Sequence, residues 1–567
     1  GIVYGAFGFL KSVLGVEFYA QDVESVPSRS TVVIDELNIV DNPAFNIRDY
    51  YSNPSWYSEP IENAKFAINS PSMTKNIQTI RGNGLSNKYY GYFYNDVQCA
   101  TREGHTVTAL LQAYAMNQGW ISSYSQAVDD YSSYRGNIWP AGCIHKKQNW
   151  YAYVGNNFER RNKYGYSPEE VCWTNGLKTS DWTYDSSNTD SLASVLIDIC
   201  MTMIKSNKNK DAEYLMLGFG DYGAQCQCNN CKKSYSENGT FAGATIVMIN
   251  AIAKEVKTRM AAQGINRTVK FVLFSYSKGK DAPVTKNSDG SYSPLNARVK
   301  LREDVNIKMA YRNCVSHALN DMSCSNNAEL RERFKQWGAL LSPTSEIAIW
   351  DYTCNFTDYL WYVPNFEAIK SNYQYYKTIN VNHLLSQGCP GEWNFYENKI
   401  HQYVSTKLMW DPEQDVNKLI SSFDNVYFGN SKYAAYVSEY RAIMDKMYSD
   451  KGIHASTDNG LNNKVSSTYD ATALKNAVSK LQSAITAVKA DASLSSEDKI
   501  LIETRIRSVL ITPQYMLLRL NLVSGSEKTN MQADLLASVS TLGLTYYKEG
   551  SLDNCKFEYL KNKGFAI

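Results

Sequence analysis

The stretch VKFVLFSY, residues 269–276, is a continuous run of apolar and aromatic residues interrupted only by one lysine and one serine. It follows AGATIVMINAIAKEVKTRMAAQG, residues 242–264, in which apolar residues recur with helical spacing. A strand without alternating polar residues is typical of a sheet that is covered on both faces, and the helix before it can supply the cover. This unit therefore predicts a parallel sheet packed against helices.

Similar strand and helix patterns recur up to about residue 390. Seven further apolar stretches are predicted to be strands: 44–51, 105–111, 137–144, 214–220, 307–313, 347–352 and 381–388. Helical patterns at 191–205 and 327–341 lie between some of them. Eight strands that alternate with helices predict an α/β fold of the (β/α)8 barrel type, and an open doubly wound sheet is the alternative.

The two ends of the chain differ from this central region. Val3, Phe7 and Leu10 have helical spacing, and VEFYA, residues 16–20, has strand character. Strand signals fade from about residue 413, where a series of amphipathic stretches begins. We therefore predict a barrel over residues 41–412 and a C-terminal helical domain over residues 413–567 that packs on it.

The charge balance of the 567 residues excludes several classes of partner. With 58 basic and 56 acidic side chains the net charge is +2, which gives no electrostatic footprint for nucleic acid. No stretch approaches the roughly 20 apolar residues of a membrane helix, so no transmembrane segment is predicted. The opening residues lack the basic start of a signal peptide, and we expect the natural N-terminus, with any export signal, to be missing.

Polar and aromatic residues follow the predicted strands, where the active sites of barrel enzymes form. They are Arg48, Asp49, Asp221, Tyr276, Tyr311, Arg312, Trp350, Asp351, Glu392, Trp393 and Glu397. Carboxyl groups can supply the acid and the nucleophile or base that cleave a glycosidic bond, and aromatic rings can stack on sugars. The simpler alternative for each single residue is a helix cap, a turn former or core packing.

Three cysteines, Cys226, Cys228 and Cys231, follow Asp221 closely. A structural zinc site needs four ligands, and no further Cys pair or His pair lies at the usual spacing. We therefore predict no metal and no cofactor, and a structural role in which the cysteines hold the loop. Disulfides with distant thiols, a metal site and, less favoured, a catalytic thiol remain as alternatives.

Several motifs together resemble glycoside hydrolase family 163, which grew out of a large group of mostly gut-bacterial proteins. They are DYGAQCQCNNC (221–231), IWDYTCNFTDYLWYVPNF (349–366), GEW (391–393) and YVSTKLMWDPEQDV (403–416). The resemblance implies an exported or surface-held endo-β-N-acetylglucosaminidase that cleaves N-linked glycans within the chitobiose core. It implies substrate assistance, in which one carboxylate orients the acetamide and a carboxylic acid protonates the leaving oxygen. The opening residues resemble the end of the small α/β domain that precedes the barrel in hexosaminidases and α-glucuronidases, and we assign this domain end to residues 1–40.

The sequence departs from this pattern beside Asp221. Related families often place Glu directly after this Asp, whereas Tyr222 follows here, and Gln227 stands where the wider group frequently has Glu. An amide cannot donate a proton as a carboxylic acid does. The acid then comes from Glu392, Asp351 or Glu397, in that order, or the chain is an inactivated variant.

The resulting predictions are specific. The predicted catalytic residues are Asp221, Glu392 and Gln227. The predicted substrate-binding residues are Arg48, His105, Tyr222, Tyr276, Tyr311, Arg312, Trp350, Asp351, Trp393 and Glu397. A surface protein that binds glycans without cleaving them, and an exo-acting hexosaminidase or α-glucuronidase, are the alternative functions.

Overall fold

The computed structural model describes residues 2–34, 36–51, 60–69, 89–90, 93–94, 97–98, 106–118, 150, 152–154, 157–158, 170–206, 212–220, 225–311, 314–389, 392, 394–457, 465–550 and 552–565. Its strands are β1 (Glu17–Ala20), β2 (Val23–Ser25), β3 (Ile47–Tyr51), β4 (Tyr89–Tyr90), β5 (Phe93–Tyr94), β6 (Val97–Gln98), β7 (Tyr153–Val154), β8 (Asn157–Phe158), β9 (Tyr214–Met216), β10 (Lys270–Ser275), β11 (Val284–Lys286), β12 (Tyr292–Pro294), β13 (Val305–Ala310), β14 (Ile347–Tyr352) and β15 (Val381–Gln387). Its α-helices are α1 (Ile2–Ser12), α2 (Pro60–Lys65), α3 (Val107–Asn117), α4 (Leu192–Lys205), α5 (Asn229–Asn238), α6 (Phe241–Ala262), α7 (Ala328–Gly338), α8 (Phe366–Thr378), α9 (Tyr396–Trp410), α10 (Val416–Tyr427), α11 (Ser431–Lys451), α12 (Ala471–Ala490), α13 (Ser496–Arg519), α14 (Gly525–Thr541) and α15 (Phe557–Asn562).

Seven of the described strands form one parallel sheet in the order β3-β15-β14-β13-β10-β9-β4. From β9 to β15, strands of this sheet that are consecutive in the sequence also lie side by side in space. Helices such as α6, α7 and α8 connect them. The first of its longer strands, β3, lies beside the last, β15. In a closed barrel the first strand must pair with the last. The fold is thus mixed α/β with a parallel sheet, and closure by eight strands stays a prediction.

A polar network lies at the N-terminal ends of these strands. The Glu346 carboxylate accepts hydrogen bonds from Tyr214 Oη at 2.8 Å and Asn306 Nδ2 at 3.3 Å, and it pairs with Lys270. Asn382 Nδ2 donates to Tyr214 Oη at 3.0 Å. Five neighbouring strands are thereby joined through side chains at one end of the sheet.

The helices after Val416 pack on the sheet region and share one apolar core with it. The backbone N–H of Tyr359 donates to Tyr547 O at 2.7 Å, and that of Phe356 donates to Thr457 O at 2.7 Å. The Arg519 guanidinium lies 3.3 Å from the Asp358 carboxylate. Among the helices that the structure describes, none has the length and apolar character needed to cross a membrane.

Most strand predictions agree with the structure. The runs around β3, β9, β10, β13, β14 and β15 are confirmed as strands, and the N-terminal helix and the strand after it are confirmed as α1 and β1. The strand predicted at 105–111 is wrong, because helix α3 begins at Val107 and includes the rest of this segment. The strand predicted at 137–144 lies outside the described residues. The boundaries of the three domains remain predictions.

Candidate active site

Strand β9 leads to the predicted catalytic aspartate. Residues 217–220, which follow this strand, are buried, and the chain is described again from Gln225. Thr106 fixes this end, since its hydroxyl donates to Met216 O at 2.6 Å and accepts from Gly218 N at 2.9 Å. Five predicted site residues lie outside the described part of the chain: His105, Asp221, Tyr222, Arg312 and Trp393.

A buried ion pair lies beside the same strand end. Glu170 Oε2 is 2.5 Å from Lys278 Nζ, and the carboxyl group has no exposed surface. Its other oxygen accepts from Trp173 Nε1 at 2.7 Å. Lys278 Nζ also lies 5.4 Å from the centre of the Phe219 ring, two residues before Asp221. Burial raises the pKa of Glu170 to about 7, although Lys278 opposes this shift.

Glu170 was missed in the sequence because it follows no predicted strand. Its pKa is close to neutral, which suits a group that donates and recovers a proton near pH 7. Glu170 is therefore a further carboxyl group, paired with Lys278, near the end of the sheet at which Asp221 is expected.

The neighbouring strands expose their side chains alternately to two faces. We call the face that carries Lys308, Trp350 and Gln387 the inner face. On it, Trp350 Nε1 donates to Gln387 Oε1 at 2.8 Å, and Lys308 Nζ lies 5.2 Å from the centre of the Trp350 ring. Trp350 is 8% exposed, so its ring packs within the core of the described structure.

Three charged or ionisable groups meet on the inner face. Burial lowers the pKa of Lys308 to about 7, and the charge of Asp49 opposes this shift. Burial, reinforced by Lys308, lowers the pKa of His383 well below its ordinary value. Lys308 and His383 were not predicted as site residues. The sequence signal that could have found them is a basic residue within an otherwise apolar strand.

Asp351 and Tyr311 lie on the opposite face, against helix α8. Tyr311 Oη donates to Asp351 Oδ1 at 3.2 Å and also bonds the hydroxyl of Tyr376 in α8. Asp351 Oδ2 is buried and accepts no hydrogen bond from the residues that the structure describes. Burial raises the pKa of Asp351 to about 7. The structure thus brings these two predicted residues together between a strand and a helix.

Arg48 also points to the helix-covered face. Its guanidinium donates to Ala67 O at 2.8 Å and to Phe45 O at 2.6 Å, and it stacks on Trp410 of helix α9 at 5.0 Å. Burial lowers the pKa of Arg48 to about 10. These contacts give the side chain a structural role, and its predicted contact with substrate remains a prediction.

Glu392 holds the C-terminal part of the chain. Its carboxyl oxygens accept from the backbone N–H groups of Thr545 at 3.0 Å and Tyr546 at 2.7 Å. Burial raises the pKa of Glu392 to about 8, and these hydrogen bonds oppose the shift. Both oxygens are thereby occupied by a segment more than 150 residues away.

Glu397 lies in the first turn of α9 and lines a small cavity with Trp361, Asn398 and His401. Its Oε2 is 3.9 Å from His401 Nδ1, and His401 Nε2 is hydrogen-bonded to Asn365 at 2.7 Å. Burial raises the pKa of Glu397 to about 7 and lowers that of His401 to about 4. Glu397 therefore has different partners from Glu392, although the two residues are close in sequence.

The remaining predicted residues have different environments. Tyr276 follows β10, is half-buried and stacks on Phe274 with ring centres 5.4 Å apart. Gln227 is exposed, between two cysteines that turn inward. The structure therefore does not gather all predicted residues into one described pocket.

The prediction of no metal rested on a missing fourth ligand, and the structure brings a fourth cysteine to the motif. Cys172, 56 residues before Cys228, approaches Cys228 and Cys231 with Sγ–Sγ distances of 3.8 and 3.6 Å. Together with Cys226 they form a group of four thiols. The fourth ligand that appeared to be missing is thus present, because folding brings a distant cysteine to the motif.

Several solved structures are similar to the chain, among them three glycoside hydrolases. A family 89 glycoside hydrolase from Clostridium perfringens, in complex with 2-acetamido-1,2-dideoxynojirmycin, is 8% identical with a TM-score of 0.47, over 95% of this chain and 58% of its own. A GH138 enzyme targeting pectin rhamnogalacturonan II is 8% identical with a TM-score of 0.31, over 62% of this chain and 46% of its own. A mutant O-GlcNAc hydrolase from Thermobaculum terrenum is 10% identical with a TM-score of 0.29, over 65% of this chain and 71% of its own.

The chain thus spans about half the length of the first two of these glycosidases. No curated protein matches the sequence. Residues 18–442 match the family model described as a domain of unknown function, DUF4838. This match covers three quarters of the 567 residues, and the chain belongs to the DUF4838 family.

Proposed function

We propose that the protein is a glycoside hydrolase of the family 163 type, an endo-β-N-acetylglucosaminidase that cleaves N-linked glycans within the chitobiose core. The observation that carries the proposal is the Glu170–Lys278 pair beside the end of β9. It supplies a carboxyl group with a pKa near 7, and its Lys278 lies 5.4 Å from the centre of the ring of Phe219, two residues before Asp221. Glycosidic cleavage needs such a proton donor beside a second anionic group.

In the proposed reaction Asp221 stays ionised and accepts a hydrogen bond from the N–H of the substrate acetamide. The acetamide oxygen then attacks the anomeric carbon, and the bond from this carbon to the leaving oxygen breaks. A carboxylic acid gives its proton to the leaving oxygen. Water then opens the oxazolinium intermediate and returns a proton to the carboxylate, so that one water molecule is consumed.

Four carboxyl groups are candidates for the acid. Glu392 is held by the backbone at Thr545 and Tyr546, Asp351 faces helix α8, and Glu397 lies in a small cavity beside His401. We favour Glu170, because its partner Lys278 lies 5.4 Å from the centre of the Phe219 ring, which precedes the predicted catalytic segment. Gln227 is not a proton donor, and we propose that it contributes at most a hydrogen bond to the sugar.

The substrate would meet the protein outside the cytoplasm, since N-linked glycans are displayed on exported proteins. We therefore propose that the protein is exported or held at the cell surface. Trp393, Tyr276 and Tyr222 are the aromatic residues that we propose for stacking on the sugars.

The test is incubation of the full chain with an N-glycosylated protein, followed by mass spectrometry of the glycans and of the protein. We expect free glycans that end in one N-acetylglucosamine and a protein that keeps one N-acetylglucosamine on each asparagine. The Asp221→Asn variant is the control and should release glycans about 1000-fold more slowly.

Other outcomes would replace the proposal. Affinity for the glycan without any released product would indicate a glycan-binding protein. Release of single sugars from the non-reducing end would indicate an exo-acting enzyme. Neither binding nor cleavage of any N-glycan would overturn the assignment of the substrate class.

A further inference from the structure

Four sulfur atoms converge beside helix α5. Cys228 is the N-cap of this helix, Cys231 lies in its first turn, Cys226 precedes it, and Cys172 comes from a separate segment. Their ligand atoms all lie within 4.8 Å of one another. Cys226 and Cys231 are 1% and 0% exposed, Cys172 is buried and Cys228 is half-buried, so most of the group is shielded from solvent.

The distances fit one tetrahedral metal ion better than any disulfide. With a zinc–sulfur bond of about 2.3 Å, two thiolates of a tetrahedral site are about 3.8 Å apart. The observed Sγ–Sγ distances are 3.8 and 3.6 Å. A disulfide would need about 2.05 Å, and every cysteine that the structure describes is a free thiol.

Hydrogen-bond donors surround these sulfur atoms. The backbone N–H of Cys231 donates to Cys228 Sγ at 3.4 Å, and Thr174 Oγ1 lies 3.1 Å from Cys231 Sγ. The ring of Tyr235 packs on the group, and its buried hydroxyl has no hydrogen-bond partner within the described structure. Donors of this kind suit thiolates, which accept hydrogen bonds, and the start of helix α5 adds a favourable dipole.

A second group joins the segment after β13 to the segment after helix α11. Cys314 Sγ lies 3.2 Å from His317 Nδ1 and 3.3 Å from His454 Nδ1, and Cys324 Sγ lies 3.7 Å from His454 Nδ1. A tetrahedral zinc ion with bonds of about 2.3 Å to sulfur and about 2.05 Å to nitrogen separates these atoms by about 3.5 Å. The observed values lie on both sides of this distance.

The backbone around the second group is fixed independently of its four side chains. Asn327 Nδ2 donates to the carbonyl oxygens of Cys314 at 3.2 Å and His317 at 3.1 Å. Arg331 donates to Cys324 O at 3.0 Å, and Val315 N donates to Ala455 O at 2.9 Å. The ligand atoms are thus held together by contacts that do not need an ion, which lowers the entropic cost of binding one.

We propose that the protein binds two structural zinc ions, one held by Cys172, Cys226, Cys228 and Cys231, and one held by Cys314, His317, Cys324 and His454. Sulfur and imidazole ligands in tetrahedral arrangement favour zinc among the common divalent ions. Each ion displaces the protons of its thiols into solvent. Because four protein ligands fill each coordination sphere, neither ion has an open position for a substrate.

The two ions would act on different parts of the molecule. The first fixes the chain that follows the predicted catalytic segment, through helix α5 and the distant Cys172. The second ties the sheet region to the C-terminal helices, since His454 follows α11 and the other ligands follow β13. Neither assignment depends on the proposed glycosidase activity.

The metal content of the purified full chain tests the proposal. Elemental analysis after dialysis should give two zinc ions per chain. Cys172→Ser should lower the content to one, His454→Asn should lower it to one, and the combined variant should bind none. Each single variant controls for the other, and Cys200→Ala, which changes a buried cysteine outside both groups, should keep two.

Wild-type protein gives a second measurement if a variant does not fold. Native mass spectrometry should show two zinc ions on a chain in which, after chelation and denaturation, all 12 cysteines react with a thiol reagent. Fewer reactive thiols together with no zinc would indicate disulfides and overturn the proposal. Iron with the absorption of an iron–thiolate centre would overturn the choice of metal.

Cobalt substitution separates the two sites. In His454→Asn the remaining cobalt ion has four thiolate ligands, and in Cys172→Ser it has two thiolates and two imidazoles. The thiolate-to-cobalt charge-transfer absorption per ion should therefore be about twice as strong in His454→Asn, in proportion to the thiolates bound. Equal spectra in the two variants would contradict the assigned ligands.

Discussion

Strand β10 has a lysine–glutamate pair at each end, and the two pairs differ in their surroundings. At its start, Lys270 pairs with Glu346, whose carboxylate also accepts from Tyr214 and Asn306 and remains 18% exposed. After its end, Lys278 pairs with Glu170, which is fully buried and has a pKa raised to about 7. At one end of β10 the pair belongs to a network in which the carboxylate has several hydrogen-bond donors. At the other end the same residue types leave a carboxyl group whose pKa lies near neutral pH.

This difference agrees with a rule for parallel barrels. Residues at the N-terminal ends of the strands stabilise the fold, and residues at the C-terminal ends form the active site. Variants at the C-terminal end should therefore change activity. Variants at the N-terminal end should change stability and leave activity unchanged.

The largest effect is expected for Asp221→Asn. If Asp221 stabilises the positive charge that develops on the acetamide, its loss should lower kcat by about 1000-fold and leave KM nearly unchanged. Steady-state kinetics on an N-glycopeptide, with thermal unfolding as the control for folding, measure both. Unchanged kcat would show that the residue only shapes the turn after β9.

The next effect is expected for Glu170→Gln. A general acid contributes about 100-fold or more, so kcat should fall by about that factor. In the wild type an acid with a pKa of about 7 is protonated below this pH, so kcat should decline as the pH rises above about 7. In Glu170→Gln this decline should disappear.

The variants Asp351→Asn, Glu392→Gln and Glu397→Gln complete this experiment. If one of them, and not Glu170→Gln, removes the decline of kcat above about pH 7, that residue is the acid. All four variants keep an oxygen acceptor at the position of the carboxyl group, so the comparison is matched in size.

The sequence predicted the sheet better than the site. Strand β10 has an almost continuous apolar pattern, which is typical of a sheet covered on both faces, and the predicted bounds of β10, β13, β14 and β15 agree with the structure within a few residues. The error at 105–111 has a physical cause. Val107, Leu110, Leu111 and Tyr114 have the spacing of a helix, which the β-branched start of this stretch obscured.

The groups that the sequence missed depend on contacts between distant segments. Glu170 is 108 residues before its partner Lys278, and His454 is 140 residues after Cys314. No local pattern marks such pairs, because the periodicity of a segment reports its own exposure and not its partner. By contrast, the motif of Cys226, Cys228 and Cys231 was visible, and only its fourth member, Cys172, was not.

At the N-terminal end of the sheet, Glu346→Gln should reduce stability and not activity. The amide can still accept from Tyr214, but Lys270 loses its partner in a site where its side chain is only 24% exposed. We expect a loss of about 1–2 kcal/mol in the free energy of unfolding by chemical denaturation, with kcat unchanged. Glu332→Gln, which breaks an exposed pair with Lys335, is the matched control and should cost less than about 0.5 kcal/mol.

The smallest effect concerns Glu392, whose carboxyl group binds the backbone at Thr545 and Tyr546. Its pKa is about 8 in the folded protein, above the value of about 4.3 in an unfolded chain. Between these values the folded state holds a proton that the unfolded state does not, so the free energy of unfolding falls as the pH rises. Glutamine does not titrate, and its amide oxygen can accept from the same N–H groups.

The difference in unfolding free energy between wild type and Glu392→Gln should therefore shift by about 1 kcal/mol in favour of the variant between pH 5.5 and pH 6.5. Urea denaturation at several pH values measures it. Glu332→Gln again serves as the control, because hydrogen bonds to Lys335 and Tyr292 lower the pKa of Glu332 and keep it ionised over this range. Parallel curves for wild type and Glu392→Gln would mean that Glu392 is already ionised in the folded protein, and that its two backbone hydrogen bonds outweigh the cost of its burial.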